Sequence, residues 1–132
     1  MAGSLTNYAE EMILDHIFGR APFAEVETPY LGLFTEAPSD AGGGTEVSGS
    51  AYARVAITTL MSDASGGTIT NGSDITFAAA DGGNWGTVTH FAIFDAITDG
   101  NMIAWADLTV QRAVNDGDVI KFSAGELDMT LD

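Results

Sequence analysis

The segment 85–108, WGTVTHFAIFDAITDGNMIAWADL, constrains the fold more than any other stretch of the chain. Two runs of β-branched, aromatic and small apolar residues, 87–94 and 102–108, flank a polar Asp-Gly-Asn turn, which predicts a β-hairpin. Because strand side chains alternate between two faces, this hairpin is expected to be apolar on both. Phe91, Ile93 and Trp105 are predicted on one face, and Val88, Ala92 and Phe94 on the other. A hairpin of this kind belongs at the centre of a fold, or between a fold and a partner.

A helix is predicted over residues 4–18, ahead of every strand. Its apolar residues recur at helical spacing and form one stripe. Ser4, Thr6 or Asn7 can cap its start, and Gly19 marks its end. The stripe must dock on something, either the chain's own sheet or a neighbouring subunit. We therefore expect an assembly interface formed by Leu5, Tyr8, Met12, Ile13 and Ile17.

Short apolar or alternating runs follow the helix, separated by turns. With 16 Gly against three Pro, the chain has the many tight turns that all-β proteins need. Turn signals recur about every 8–12 residues, which is typical of a sandwich or barrel. The predicted fold class is mainly β, an antiparallel β-sandwich or jelly-roll-like domain preceded by one N-terminal helix. Residues 1–19 are expected to dock or to cover the core, and residues 20–132 to form a single β-sandwich domain.

Several local patterns make sharper predictions. Gly32, inside an apolar run, indicates close backbone approach. Residues 36–50, EAPSDAGGGTEVSGS, predict a long surface loop. Residues 51–61 alternate as a half-buried strand does, and Asn71-Gly72 predicts a type I′ hairpin turn. Beyond the central hairpin, strands are predicted at 30–35, 51–61, 68–70, 75–77, 109–114, 119–122 and 127–131.

The charge balance excludes some partners. The chain has 19 acidic and four basic residues, a net charge of −15, with the acids spread along its length. Such a surface repels phosphate backbones and anionic membranes, so no nucleic-acid or membrane partner is expected. There are no cysteines, hence no disulfide or thiolate metal site. The opening MAGSLTNYAEE lacks the basic and apolar regions of a secretory signal, so none is expected.

The sequence contains no recognisable catalytic constellation. His16 and His90 are the only histidines, and a hydrogen-bonded structural role is expected for each. No H-x-x-x-H or G-x-S-x-G motif occurs, and the Asp-rich turns do not match EF-hand spacing. We therefore predict no catalytic residue, no cofactor, no metal site and no enzyme activity.

Aromatic side chains offer a different kind of site. Trp85 lies beside Gly86 and a Gly-rich loop, so it is the better candidate for an exposed aromatic contact, with Tyr52 as its companion. Exposed aromatic rings can stack on sugars. A carbohydrate-binding module that recognises a host surface glycan is therefore an alternative of another class.

Long parts of the sequence resemble a family of small virion proteins of tailed bacteriophages, usually labelled phage tail-fibre or minor tail proteins. Four segments carry the resemblance in order: LTNYAEEMILDHIFG, YLGLFTEAPSDAGGGTEVSGSAYAR, GNWGTVTHFAIFDAITDGNMIAWADLT and VNDGDVIKFSAGELDMTL. Together they cover almost the whole chain. None is a chemical motif, so the resemblance carries over no catalytic residue.

The resemblance implies a non-enzymatic structural protein of the tail or tail fibre, present in multiple copies. Its partners would be other virion proteins, of the tail or the capsid, and copies of itself. It would assemble in the host cytoplasm and lie on the virion exterior, where an acidic surface stays clear of packaged DNA. A capsid decoration (cement) protein on the head exterior is the alternative within this class.

Overall fold

A computed structural model describes residues 3–131 of the chain, and most of its regular structure is antiparallel β-sheet. The predicted class, mainly β with one N-terminal helix, is confirmed, although a short strand precedes the helix. In chain order the elements are β1 (Gly3–Leu5), α1 (Asn7–Ile17), β2 (Tyr30–Glu36), β3 (Thr45–Glu46), β4 (Val55–Ala56), β5 (Thr68–Thr70), β6 (Ile75–Thr76), β7 (Gly86–Phe94), β8 (Met102–Val114), β9 (Lys121–Phe122) and β10 (Asp128–Thr130).

The main sheet has six strands in the order β1-β8-β7-β2-β3, with β4 also paired to β2. The predicted central hairpin is confirmed as β7 and β8, which lie in the middle of this order. β8 continues to Val114 and so absorbs the separate strand predicted at 109–114.

A second layer covers one face of the main sheet. It consists of two antiparallel ladders, β5 with β10 and β6 with β9. Apolar side chains from this layer and from β2, β7 and β8 form the main core. Its largest fully buried side chains are Leu31, Leu33, Ile57, Ile75, Phe77, Val88, Phe91, Val114, Phe122 and Leu127.

The opposite face of the main sheet carries a smaller cluster. Phe34, Ala92 and Phe94 are buried there, with Met102 and Trp105 packed against them. Trp105 therefore lies on the Ala92 face, and the prediction that it shares a face with Phe91 is wrong. The reason is the register: directly paired residues point to the same face, and Trp105 pairs with Ala92.

The prediction that Val88 shares a face with Ala92 and Phe94 is also wrong, because Val88 lies in the main core with Phe91. The pairing of β7 with β8 shifts between Val88 and His90. A bulge of this kind interrupts the strict alternation on which the face assignment depended.

The helix is shorter than predicted. Thr6 is its N-cap and accepts a hydrogen bond from the Ala9 N–H, while Gly19 follows the helix at φ +69°. Leu5 belongs to β1, paired with Ala104, so it is not part of the helical stripe. In the described range 3–131, no helix has the length and apolar character to cross a membrane.

The predicted strand at 51–61 is mostly wrong. Only Val55–Ala56 is a strand, and the chain then turns, with the Leu60 and Met61 N–H groups both donating to the carbonyl of Ile57. Residues 36–50 are also more ordered than a surface loop, because they contain β3. The alternation of apolar and polar residues over 51–61 does not indicate that Tyr52 and Arg54 bond to the side chain of Glu46.

Asn71-Gly72 does not form the predicted hairpin turn, because β5 and β6 pair with β10 and β9 instead of with each other. Asn71 is 0% exposed. Its amide donates to the carbonyls of Ser73 and Ser123 and its Oδ1 accepts from the Leu127 N–H. The side chain thus joins the two ladders of the second layer.

Candidate functional site

The helix α1 packs against the rest of the protein through few residues. Ala9 is its only buried residue, and Met12 and Ile13 are half-buried. Its contacts are with β8 and β1. The start of the helix is firmly held, because the buried Thr6 donates to the Met102 carbonyl at 2.6 Å.

Most of the apolar surface of this region faces outward. Tyr8 is 41% exposed, Leu14 55%, Ile17 67% and Phe18 73%. Large apolar side chains left open on one element are typical of a binding surface. Three large apolar side chains of the helix and that of Phe18, which follows it, are therefore left exposed by the packing of α1 on the sheet.

The chain after the helix folds back and widens this surface. The Phe23 N–H donates to Nδ1 of His16 at 3.0 Å, and the two rings meet edge to face. Phe23 and Val26 then face Ile13 and Ile17 across a groove of about 420 Å³. His16 has the structural role expected of it. We use the name N-terminal apolar surface for the groove residues Ile13, Ile17, Phe23 and Val26 together with the exposed side chains of Tyr8, Leu14 and Phe18.

The predicted interface residues lie partly on this surface. Tyr8 and Ile17 are exposed on it, and Ile13 lines its groove, whereas Met12 is half-buried. Leu5 lies in the neighbouring β1. Sequence reasoning missed Leu14 and Phe18, although their four-residue spacing places both on one side of the helix, away from Ala9.

A second feature is a buried ion pair under residues 36–50. Arg54 donates from Nε and Nη2 to the two carboxylate oxygens of Glu46, each at 2.8 Å. Its Nη1 donates to the carbonyls of Ala96 and Asp99, also at 2.8 Å, and its guanidinium lies 3.4 Å from the centre of the Phe94 ring. Arg54 therefore ties β3 to the turn of the central hairpin.

Tyr52 extends this network. Its hydroxyl donates to Glu46 Oε1 at 2.7 Å and accepts from the Leu33 N–H at 2.9 Å. Burial, and to a smaller extent the hydrogen bond and charge of Glu46, raise the pKa of Tyr52 far above its ordinary value. The close approach predicted at Gly32 is observed, since a Cβ there would lie 2.9 Å from Glu46 Oε1.

A cleft of about 520 Å³ lies above this network, between the start of α1, residues 40–44 and the hairpin turn. The polar atoms of Arg54 and Glu46 that border it already bond to protein groups. The network is therefore a structural support that fixes loops, and it directs no free charged group at a ligand.

Trp85 is buried at 6% exposed, so the prediction of an exposed aromatic contact is wrong for it. It packs edge to face on Tyr52 and donates from Nε1 to the Ser50 carbonyl at 3.0 Å. Gly49 lies directly against the indole, where any side chain would collide with it. Tyr52 is half-buried in the network, so neither ring is free to stack on a sugar.

The remaining polar candidates have structural partners. His90 Nδ1 bonds to the hydroxyl of Thr89 at 2.8 Å. Asp95 accepts from the backbone and side-chain amides of Asn101, and Asp118 accepts from the Asn115 N–H, as turn-capping carboxylates do. Across residues 3–131, no three His, Asp or Glu side chains are grouped as metal ligands would be.

A family model described as Podophage GP4 fiber I protein gp80 matches residues 4–130, a span that includes α1 and every described strand at least in part. No curated protein matches the chain.

Proposed function

Because the chain belongs to the family described as Podophage GP4 fiber I protein gp80, we propose that it is a non-enzymatic structural subunit of a phage tail fibre, present in several copies per particle. The observation that carries this proposal is the extent of the match. It covers the whole fold, from β1 to β10, so the family relationship concerns the entire domain and not a shared fragment.

The chemistry of the described residues supports a structural role. In the buried network Glu46 accepts from Arg54 and Tyr52, and in the turns Asp95 accepts from Asn101 and Asp118 from the Asn115 N–H. Both histidines hold local structure, His16 by accepting from Phe23 and His90 by bonding to Thr89. These groups hold the fold, and their contacts leave no paired acid and base poised for bond chemistry.

We propose the N-terminal apolar surface as the region through which the subunit assembles. Tyr8 and Ile17, two of the residues predicted for assembly, are exposed on it, and Leu14 and Phe18 add to its apolar area. Burying such side chains against a partner contributes about 1.5–3 kcal/mol for each one fully covered. The partners in this proposal are other virion proteins, with several copies of the chain on each particle.

The charge supports a position on the outside of the particle, following assembly in the host cytoplasm. With a net charge of −15, the subunit is repelled by packaged DNA and by other phosphate-rich surfaces. The structure offers little support for the glycan-binding alternative, because Trp85 is buried and the half-buried Tyr52 ring packs on Phe77 and Trp85.

Reconstruction of intact particles by electron cryomicroscopy tests the proposal. We expect density that fits residues 3–131 at several equivalent positions on the tail or its fibres. Density on the capsid lattice would instead support the decoration alternative and contradict the tail assignment. A single copy per particle would contradict the multi-copy arrangement alone.

A further inference from the structure

We propose that the N-terminal apolar surface binds a basic, apolar protein segment of a different chain, and not a second copy of this one. The inference rests on the proposed assembly role and deepens it by naming the chemistry of the partner. Copies of the subunit would then be arranged by the partner to which each of them docks.

The charges around this surface are almost all negative. Residues 7–27 contain five carboxylates, Glu10, Glu11, Asp15, Glu25 and Glu27, against the single cation Arg20. All five acids are exposed, and within the described chain none of them forms an ion pair. The groove between helix and return segment is apolar, with Glu25 at its border. A complementary partner must therefore be apolar at its centre and positively charged at its edge.

A second copy has few positive charges to supply. Of the four basic residues, Arg54 is buried with Glu46, Arg112 pairs with Glu126, and Lys121 pairs with Asp74. The fourth, Arg20, lies beside the surface itself. A symmetric contact would place five carboxylates and one guanidinium opposite the same set, and like charges across an interface oppose association.

A fluorescent, helix-forming peptide tests the charge preference. It carries Leu on one face and Lys on the other, and its matched control carries Glu in place of Lys. With the full chain, fluorescence anisotropy should show binding of the Lys peptide that weakens as NaCl is raised, because salt screens the attraction. Equal binding of the Glu peptide would overturn the proposal.

Variants of the chain locate the binding. The double variant Leu14→Ser/Phe18→Ser should raise the Kd at least about tenfold, since it removes two large apolar contacts. Its control is Val110→Ser/Val119→Ser, at residues that are 69% and 55% exposed elsewhere, which should leave the Kd unchanged. Because all four side chains are exposed, folding should survive in both variants.

A second pair of variants tests the acidic rim. Glu11→Gln/Glu25→Gln should weaken binding of the Lys peptide more than Asp63→Asn/Asp81→Asn, which removes the same charge from a distant part of the surface. Equal weakening by the two pairs would mean general attraction to an acidic protein and would overturn the proposal.

Sedimentation velocity of the chain alone tests the competing occupant. We expect the chain to show no concentration-dependent dimer formed through this surface. Such a dimer would be lost in Leu14→Ser/Phe18→Ser and kept in Val110→Ser/Val119→Ser. Such a dimer would show that a second copy covers the surface. Failure of any of these experiments would leave the tail location open, because reconstruction of the particle tests that location separately.

Discussion

The buried ion pair of Arg54 with Glu46 links separate parts of the chain, and the sequence around these two residues does not predict it. Strict alternation over residues 51–61 indicates a strand, yet Tyr52 and Arg54 point from an irregular segment onto Glu46. Nothing in a loop-like run such as residues 36–50 indicates that one of its carboxylates is an ion-pair partner. Gly32 was predictable, because glycine within an apolar strand indicates close contact.

Replacing Arg54 with Met should destabilise the fold by about 3 kcal/mol, because Glu46 would keep its charge in a mostly buried position. Urea unfolding measures this loss. Lys121→Met is the control, since its ion pair with Asp74 is about half exposed on both sides and should contribute less than about 1 kcal/mol. Losses of similar size in the two variants would contradict the structural role assigned to Arg54.

Tyr52 should make stability sensitive to alkaline pH. Its folded-state pKa is raised, so its contribution is complete below the ordinary tyrosine pKa of about 10 and declines as pH rises beyond that value. Tyr52→Phe should cost about 1–3 kcal/mol at pH 7, through the loss of two hydrogen bonds. The difference from the parent chain should then shrink above pH of about 10.

Urea unfolding at neutral and alkaline pH checks this dependence, with Tyr8→Phe as the control at an exposed tyrosine. A difference between the parent chain and Tyr52→Phe that stays constant or grows with pH would contradict the burial of the Tyr52 hydroxyl.

Among the elements, the central hairpin was the most predictable and the second layer the least. β-branched and aromatic runs around a polar turn identify β7 and β8 from local sequence alone. The ladders β5–β10 and β6–β9 join segments far apart in the chain, and local turn chemistry at Asn71-Gly72 indicated the wrong pairing. Their pairing depends on packing against the main sheet, which a single sequence does not display.

Asn71→Ala should separate these two ladders and cost about 2–3 kcal/mol, because it leaves buried backbone groups without partners. Chemical unfolding gives the size of the loss, and amide hydrogen exchange should show reduced protection at Leu127 and its neighbours. Asn115→Ala, at an exposed asparagine in another turn, is the control and should change stability little. Equal effects would mean that the Asn71 side chain does not join the second layer.

The whole molecule combines two packed layers of β-sheet with a strongly negative net charge and the N-terminal apolar surface. Glycine content together with strand patterns and turn spacing was enough to predict the mainly β class, and the charge balance makes a nucleic-acid partner unexpected. The apolar stripe of the helix was also predictable, Ile17 included, but Leu14 and Phe18 were missed, because periodicity identifies the face that packs inward and these two exposed side chains lie off it.

Salt should stabilise the isolated chain. At a net charge of −15, repulsion among the acids opposes the compact state, and added NaCl screens that repulsion. We expect the thermal midpoint to rise by several degrees between low and moderate NaCl, measured by circular dichroism. KCl at equal ionic strength is the control and should act alike; a midpoint that falls with both salts would contradict this account.

The attachment of the helix at one end also determines how a mechanical load would pass through the subunit. Thr6 bonds to the carbonyls of Met102 and Ile103, and the Asn7 N–H donates to the Asp40 carbonyl, all at the first turn. A force applied at the C-terminal end of α1 would thus act first on these few hydrogen bonds and on the three-residue pairing of β1 with β8. We expect these contacts to open while the sheets behind them stay folded, so that the attachment of α1, next to the N-terminal apolar surface, is the first part of the subunit to yield under load.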